Sequence, residues 1–436
     1  MLAKRIIWFS VLAILGWPVP SVFGQTPALY VGGPNANFSS IQAAINAAAE
    51  GASIAVQPGT YREQVQVNKR LTLEAKGPVI VDAGRRGSAI TLVTSGITLT
   101  GFEVRNAGSA DKKAGLLILG DGNTVSHIRA TANNSGIVVL RGRSNTIADS
   151  EISGNRHDGV VIIGASANTV TRNTIANNGR AGVWIQAEHL ADTIQEATEN
   201  RILANRAHDN RSFGISLHTG ANRNEVNDNE VTSNGSSNAD AGILINCGPT
   251  GNTVQRNKLS ANQKHGILVI VGSFANRFLD NDVVGSSTGI GVYAANANEF
   301  VSNRVSGSGN FGVHLNNMEP LSGGGAMLPG FPGGTQPVSA QNILHHNNLT
   351  TNRVNAFDRS GKTWEPPGAA AMSPQILQSM RQALSPNRCD NGAEGNHYDD
   401  FDEAREGFVD RNNDGLGENP HPIPGGVAVD HFPLVR

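Results

Sequence analysis

From Asn123 onward one phrase recurs along the chain: Asn-x-Val/Ile-x-x-Asn-x-Val/Ile-x-x-Asn, followed a few residues later by Gly and two or three aliphatics. The fullest copies place Asn168, Asn173 and Asn178; Asn200, Asn205 and Asn210; Asn224, Asn229 and Asn234; Asn252, Asn257 and Asn262; and Asn342, Asn347 and Asn352. Copies starting at Asn145, Asn276 and Asn298 put Ser at one of these steps. Gly136-Ile137, Gly159-Val160, Gly182-Val183, Gly214-Ile215, Gly242-Ile243, Gly266-Ile267, Gly289-Ile290 and Gly312-Val313 open the third segment, and copies without inserts are spaced by 22 to 24 residues. A unit this small cannot bury a core by itself, so the repeats must stack.

The period has a direct structural meaning. Two apolar positions five residues apart, each flanked by polar residues, suit two very short strands that point one aliphatic side chain inward. The Gly-aliphatic segment is a longer strand, and three strands with three turns fill one coil. Stacking coils about 4.8 Å apart gives every strand a parallel neighbour. The expected fold is therefore all-β: a right-handed parallel β-helix solenoid of about eleven coils, a rod roughly 50 Å long. Asn suits the turns because it tolerates left-handed backbone angles, and its amide can both donate to and accept from its copy in the next coil. Before Asn123 the phasing is weaker, but Ile54-Ala55-Val56, Val65-Gln66-Val67, Leu71-Thr72-Leu73, Ile90-Thr91-Leu92 and Ile97-Thr98-Leu99 read as short strands between turns. Aromatics at 5% and 51 glycines agree with a repetitive core rather than a jigsaw of large rings.

A solenoid must close its ends. Ser39 followed by Gln42 reads as a capping box, and Ile41, Ala44, Ile45 and Ala48 share one face of a helix expected to lid the first coil. Ser373-Pro374 signals a second helix, with Ile376, Leu377, Met380 and Leu384 as its apolar stripe. Ahead of the solenoid, Lys4 and Arg5 precede an apolar run from Ile6 to Trp17, then Pro18, Pro20 and Val22-Phe23-Gly24, the pattern of a secretory signal peptide cleaved near Gly24. The expected division is 1–24 signal peptide, 25–358 β-helix with its cap, and 359–436 helix and tail, in a periplasmic or secreted protein without a membrane span. A net charge of −2 argues against nucleic acid as a partner. Cys247 and Cys389 allow one long-range bridge, but two separate thiols fit slightly better.

Two stretches carry a family resemblance. Phe38-Ser39-Ser40-Ile41-Gln42-Ala43-Ala44-Ile45 and Pro58-Gly59-Thr60-Tyr61-Arg62-Glu63 look like the opening of pectin-lyase-like β-helix proteins. Gly395-Asn396-His397-Tyr398-Asp399-Asp400-Phe401, the run from Asp410 to Pro420, and Asp430-His431-Phe432-Pro433-Leu434 are similar to the tail of the NosD-type periplasmic β-helix family. That family usually has Asn-Tyr-Trp and Asp-Arg-Phe-Pro-Leu, so His397-Tyr398 and His431 depart from it. The first resemblance implies binding, cleavage or epimerisation of acidic polysaccharide; the second implies a non-catalytic accessory role in copper-site maturation or partner docking. Copper itself is doubtful, since His345-His346 is the nearest approach to a soft-ligand group and a solvated turn explains it better.

Equivalent positions in successive coils lie side by side, so a surface stripe is found by comparing copies. Just before the strand Gly stand His157-Asp158, Arg180, Asp240 and Lys264-His265. A lyase or epimerase acting on a uronate needs a cation against the sugar carboxylate and a base for the adjacent proton. Arg180 or Lys264 suits the first role, and His157 or His265 the second, with Asp158 and Asp240 as acceptors for hydroxyls. The plain alternative is a solvated turn face. Further candidates lie in the inserts 187–199 and 318–341. Arg156-His157-Asp158 is a faint echo of the Asp-Pro-His-Asp element of mannuronan epimerases. In the tail, Asp410, Asn412, Asp414, the Leu416 carbonyl and Glu418 follow the first part of an EF-hand-type calcium loop, although His421 stands where its last acid is expected. The sequence thus points to a β-helix protein that binds a uronate-containing polysaccharide, leaving turnover open.

Overall fold

The computed structural model describes residues 29–34, 36–110, 112–237, 240–317, 339–360 and 387–435. The expected signal peptide, the helix expected after Ser373-Pro374 and nearly all of the 318–341 insert lie outside these residues.

The described chain is a parallel β-helix. One sheet has twelve strands, one long strand from each coil, running from Val65–Val67 to Val354–Asp358; the short strands form a second sheet of 24. Twelve coils therefore replace the expected eleven, because the weakly phased first part holds one more than its scattered short runs suggest. Register is kept coil after coil, so like stacks on like. Val183, Ile215, Ile243, Ile267, Ile290 and Val313 make one interior column, and Val170, Ile202, Val226, Val254, Phe278, Phe300 and Leu344 make another. All are buried. The Phe278 and Phe300 rings stack with centroids 4.6 Å apart, matching the coil spacing.

Three columns of asparagine hold the turns. Asn205 shows the unit: its backbone N–H and Nδ2 both donate to Asn229 Oδ1, at 2.9 and 3.1 Å, while its own Oδ1 accepts the same pair from Asn173. Its Nδ2 also reaches the Val170 carbonyl at 2.9 Å. The column continues through Asn257, Asn281, Asn303 and Asn347. Parallel columns run from Asn123 to Asn387 and from Asn133 to Asn262. The ladders meet the expectation, but not its backbone detail. The left-handed residue is the one before each Asn, such as Arg172, Ala204, Asp228, Arg256 and Asp280, with φ of 52° to 60°. That residue turns the chain and leaves the Asn side chain facing the interior.

The N-terminal lid is the helix Ile41–Ala47, which buries Ile41, Ala44 and Ile45. Its cap differs from the expected box. Ser40, not Ser39, is the N-cap, and Glu63 does what Gln42 was expected to do. Glu63 accepts Ser40 Oγ, Ile41 N and Gln42 N at 2.9 to 3.0 Å, because the Pro58–Glu63 turn of the next coil lies directly over the helix start. At the other end the ladder passes from Asn347 to Asn396, and Asn396 donates its N–H and Nδ2 to Asp430 Oδ2 at 2.7 and 3.2 Å. A carboxylate only accepts, so it ends a ladder that arrives as donors.

The two short-strand faces differ on the outside. One begins with an uncharged row, Thr72, Thr98, Thr124, Thr146 and Thr169, and continues through Arg201, Glu225, Thr253, Arg277 and Glu299. The other alternates in sign: Glu103, Arg129 and Glu151, then Arg206, Glu230, Lys258, Asp282 and Arg304. Exposed pairs of this kind stabilise by at most about 1 kcal/mol each.

Two outcomes follow from the ladder. Asn205→Ala strands donors and acceptors in two neighbouring coils and is expected to cost about 3 kcal/mol by urea denaturation. Burial pushes the Asp430 carboxyl up to about 6, against hydrogen bonds from Asn396 and Phe432. The folded protein then holds this proton more tightly than an unfolded chain does, so stability falls as pH rises from about 4 through 6. Between pH 7 and pH 5 the wild type should gain about 1 kcal/mol that Asp430→Asn does not. Denaturation at the two pH values measures it.

Candidate functional site

Of the three outer faces, the two on the short strands pair their charges within their own rows, as Arg129 does with Glu103, Arg201 with Glu225 and Arg277 with Glu299. The chemistry collects on the outside of the twelve-stranded sheet and on the turns that feed it. Outward positions there are the second and fourth residues after each strand Gly, and they stack as Val161, Trp184, Ser216, Leu244, Leu268, Gly291, His314 and Phe357.

At the N-terminal part, Glu188 of the 187–199 insert is buried and accepts both Lys112, at 2.7 Å, and Arg141. Hydrogen bonds from Arg141 hold its carboxyl below the usual range against desolvation. Two cations thus share one acid. Their side chains remain 36% and 51% exposed, whereas that of Glu188 is 4% exposed.

In the middle, Asp158 and Arg180 of adjacent coils pair through two hydrogen bonds of 2.8 and 2.5 Å. Asp158 is buried and also accepts the Ala181 N–H, while the Arg180 side chain stays 41% exposed. The guanidinium lies 3.8 Å from the centre of the Trp184 ring, and His218 stacks on Trp184 at 3.7 Å. Burial and the nearby Arg180 push His218 down to about 3. Both faces of Trp184 are therefore covered, and this ring is no stacking platform for a sugar. His157, next to Asp158, is exposed.

Towards the C-terminal part, Asp240 is buried and Oδ2 accepts the Ser236 and Ser237 N–H groups, which fixes a turn. Lys264 is half-buried and makes no ion pair among the described residues. His265 Nδ1 lies 3.2 Å from the Asp240 carbonyl and Nε2 lies 3.2 Å from the Tyr293 hydroxyl, which in turn is 3.2 Å from His314 Nδ1. The carbonyl only accepts, so it assigns every proton in the chain. His265 donates from Nδ1, Tyr293 donates to His265 Nε2, and His314 donates from Nδ1 to the phenol oxygen. The chain ends on the His314 Nε2 lone pair, which is buried and has no hydrogen-bond partner among the described residues. Burial pushes His265 and His314 down to about 4 and Tyr293 up to about 12, so all three are neutral at pH 7. Phe311 and Phe357 flank His314 with ring centroids 4.5 and 5.7 Å away.

The six residues of the expected stripe thus divide. Asp158 joins Arg180, His265 joins a chain that no comparison of turn residues reveals, Asp240 serves its loop, and His157 and Lys264 are left facing outward. Trp184, His218, Tyr293 and His314 were missed. Their signal is in the sequence, at the second and fourth positions after Gly182, Gly214, Gly289 and Gly312.

The two metal expectations have a geometry too. In the tail loop, Asp410 accepts the N–H groups of Asn413, Asp414 and Gly415, Asp414 accepts that of Leu416, and Glu418 pairs with Arg411 at 2.7 Å. Asn412 donates to Asp414. His421, at the last loop position, packs on Tyr398 and Phe401. His345 and His346 bond to each other, and His346 bonds to Glu394 at 2.5 Å. Cys247 and Cys389 are free thiols, and all five methionines lie outside the described residues. No group of three or more His, Cys, Asp or Glu among the described residues is placed to hold a metal ion.

The coils, ladders and caps define a protein with the right-handed parallel β-helix fold. Residues 82–195 match the family model for the right handed beta helix region, and residues 191–402 match that for the periplasmic copper-binding protein (NosD). No curated protein matches the chain in sequence. Among solved structures, the A-module of Azotobacter vinelandii mannuronan C-5 epimerase AlgE4 is similar at 16% identity, with 73% of this chain and 86% of that one covered and a TM-score of 0.50. XylC in complex with xylose is similar at 12% identity, covering 85% and 83%, with a TM-score of 0.52. The Dettilon tailspike protein is similar at 15% identity, covering 72% and 63%, with a TM-score of 0.51. At such identities the likeness is one of fold. No described helix is long and apolar enough to cross a membrane.

The histidine chain makes one expectation measurable. NMR titration should find His265 and His314 neutral down to about pH 4. Since an unfolded histidine protonates near 6.5, the stability these rings support is present above that pH and lost as pH falls towards 4.

Proposed function

We propose that this is an exported protein, periplasmic or secreted, that holds a uronate-type polysaccharide along the outside of the long-strand sheet. One observation carries the reading: the acids of this face are buried and their cations are not, with Lys112 and Arg141 sharing Glu188. Lys264 adds a cation with no acid of its own among the described residues. A polymer with one carboxylate per sugar suits such a face, because its repeat is close to the coil spacing of about 4.8 Å. The neutral His265–Tyr293–His314 chain lies on the same face and braces it, with its terminal His314 Nε2 buried. The fold neighbours, which include a mannuronan epimerase, agree with this reading without establishing it.

The test uses substitutions that leave every buried carboxylate paired. Lys112→Gln keeps the Arg141–Glu188 pair, and Lys264→Gln disturbs none. On immobilised alginate and pectate at low salt, the wild type should be retained and the double variant should bind about tenfold more weakly. Retention on neutral xylan should not change. Failure of the wild type to bind any acidic polymer, or equal binding to acidic and neutral ones, would remove the proposal. Deuterium uptake at sugar C5 in alginate recovered from heavy water reads turnover.

A second reading rests on the match over 191–402: an accessory protein of NosD type that docks to a metalloprotein. Competition with a copper(I) chelator separates the two. Tight copper binding by the full chain would favour the second.

A further inference from the structure

On the short strands every arginine meets a carboxylate. Arg105 pairs with Asp82, Arg129 with Glu103, Arg201 with Glu225, Arg206 with Glu230, Arg277 with Glu299 and Arg304 with Asp282. Arg85 and Arg156 do otherwise. Both are exposed, neither makes an ion pair among the described residues, and both line one surface groove of about 330 Å³. The groove lies over the turns that follow four successive short-strand segments, those ending at Asp82, Arg105, Thr131 and Ser153.

The acid that could neutralise Arg85 is already taken. Although burial works against it, Asp82 is held below the usual carboxylate range by hydrogen bonds from Gly84 N, Asn106 and Arg105. Its turn fixes Arg85 in the left-handed region at φ 62°, with the Arg85 N–H on the Asn106 carbonyl at 2.7 Å. Between the two arginines the lining offers the Ser109 hydroxyl and the Asn134 amide, whose side chains have no partner among the described residues. No acidic side chain is among the lining residues. The floor is rigid, since Asn133 belongs to a ladder and donates to the Val104 carbonyl at 3.0 Å.

We propose that this groove is a subsite for a short uronate segment, with Arg85 and Arg156 each taking a sugar carboxylate and Ser109 and Asn134 taking hydroxyls. The arginines stand on turns three coils apart, roughly 14 Å along the rod. That span matches about three sugar residues of an extended chain, and the volume is at the small end of ligand sites. A planar guanidinium pairs with a carboxylate through two parallel hydrogen bonds, so the site selects an acid over a neutral sugar of the same shape. This subsite rests on the proposed function for its ligand class, but it lies on the turns rather than on the sheet.

Calorimetric titration of the full-length mature chain with a trigalacturonate and with the same trisaccharide reduced at its carboxyls tests it. Arg85→Gln and Arg156→Gln should each weaken trigalacturonate binding about tenfold, and the double variant more. The reduced trisaccharide should bind far more weakly to wild type, with no dependence on either arginine. Both side chains are exposed, so unchanged thermal midpoints check the fold of the variants. Equal trigalacturonate affinity in wild type and double variant, or equal wild-type affinity for both sugars, overturns the subsite. If alginate retention needs Lys112 and Lys264 but not these arginines, the subsite falls and the proposed function stands. If the trisaccharide needs both arginines while polymer retention ignores Lys112 and Lys264, the subsite stands and the path along the sheet falls.

Discussion

Everything in this molecule depends on a hydrogen bond that points one way. In each ladder the backbone N–H and Nδ2 of one asparagine donate to the Oδ1 of its copy in the following coil, from Asn173 through Asn347 without reversal. Aligned bonds of this kind polarise one another, and inside a low-dielectric core each is worth more than in water. The direction also explains the ends. Donors accumulate at the C-terminal end, where Asp430 receives them from Asn396, so a carboxylate there is a consequence of the ladder's polarity. At the opposite end Glu63 caps a helix whose free N–H groups pose the same problem in miniature.

Because the ladders fix register, they also fix which side chains become neighbours. Residues 22 apart, such as Asp158 and Arg180, meet as firmly as residues on one strand. The same register that neutralises the short-strand face by pairing Glu103, Arg129 and Glu151 leaves the long-strand face with acids beneath and cations above. Function on such a rod is thus a matter of what each column is allowed to leave unpaired. Among the described residues, Lys264, Arg85 and Arg156 are left without an ion pair.

The repeat made the fold legible, since Asn every five residues and Gly-aliphatic segments define a coil from composition and spacing alone. The first coils were undercounted because Leu71–Leu73 and Ile97–Leu99 lack the asparagines that mark phase. Ser39–Gln42 looked like a self-contained cap, whereas the partner that matters, Glu63, is brought by the next coil. The site was half legible. Comparing residues before each Gly found Asp158, Arg180 and His265 but could not tell that Asp240 serves a turn. Alternation within the long strand would have exposed Trp184, Tyr293 and His314. Their partnerships needed the lateral offset of a rung, which no linear reading supplies.

Identical rungs also make length a free variable. Every interior coil presents the same acceptors upstream and the same donors downstream, so removing or duplicating one leaves its neighbours chemically unaware of the change. Only the two closures are unique. Asp430 meets whichever asparagine comes last, and a lineage that copies a coil lengthens its outer face by one coil spacing without redesigning the core. Such a scaffold evolves like a ruler, by adding marks, and its length is set by duplication rather than by point mutation.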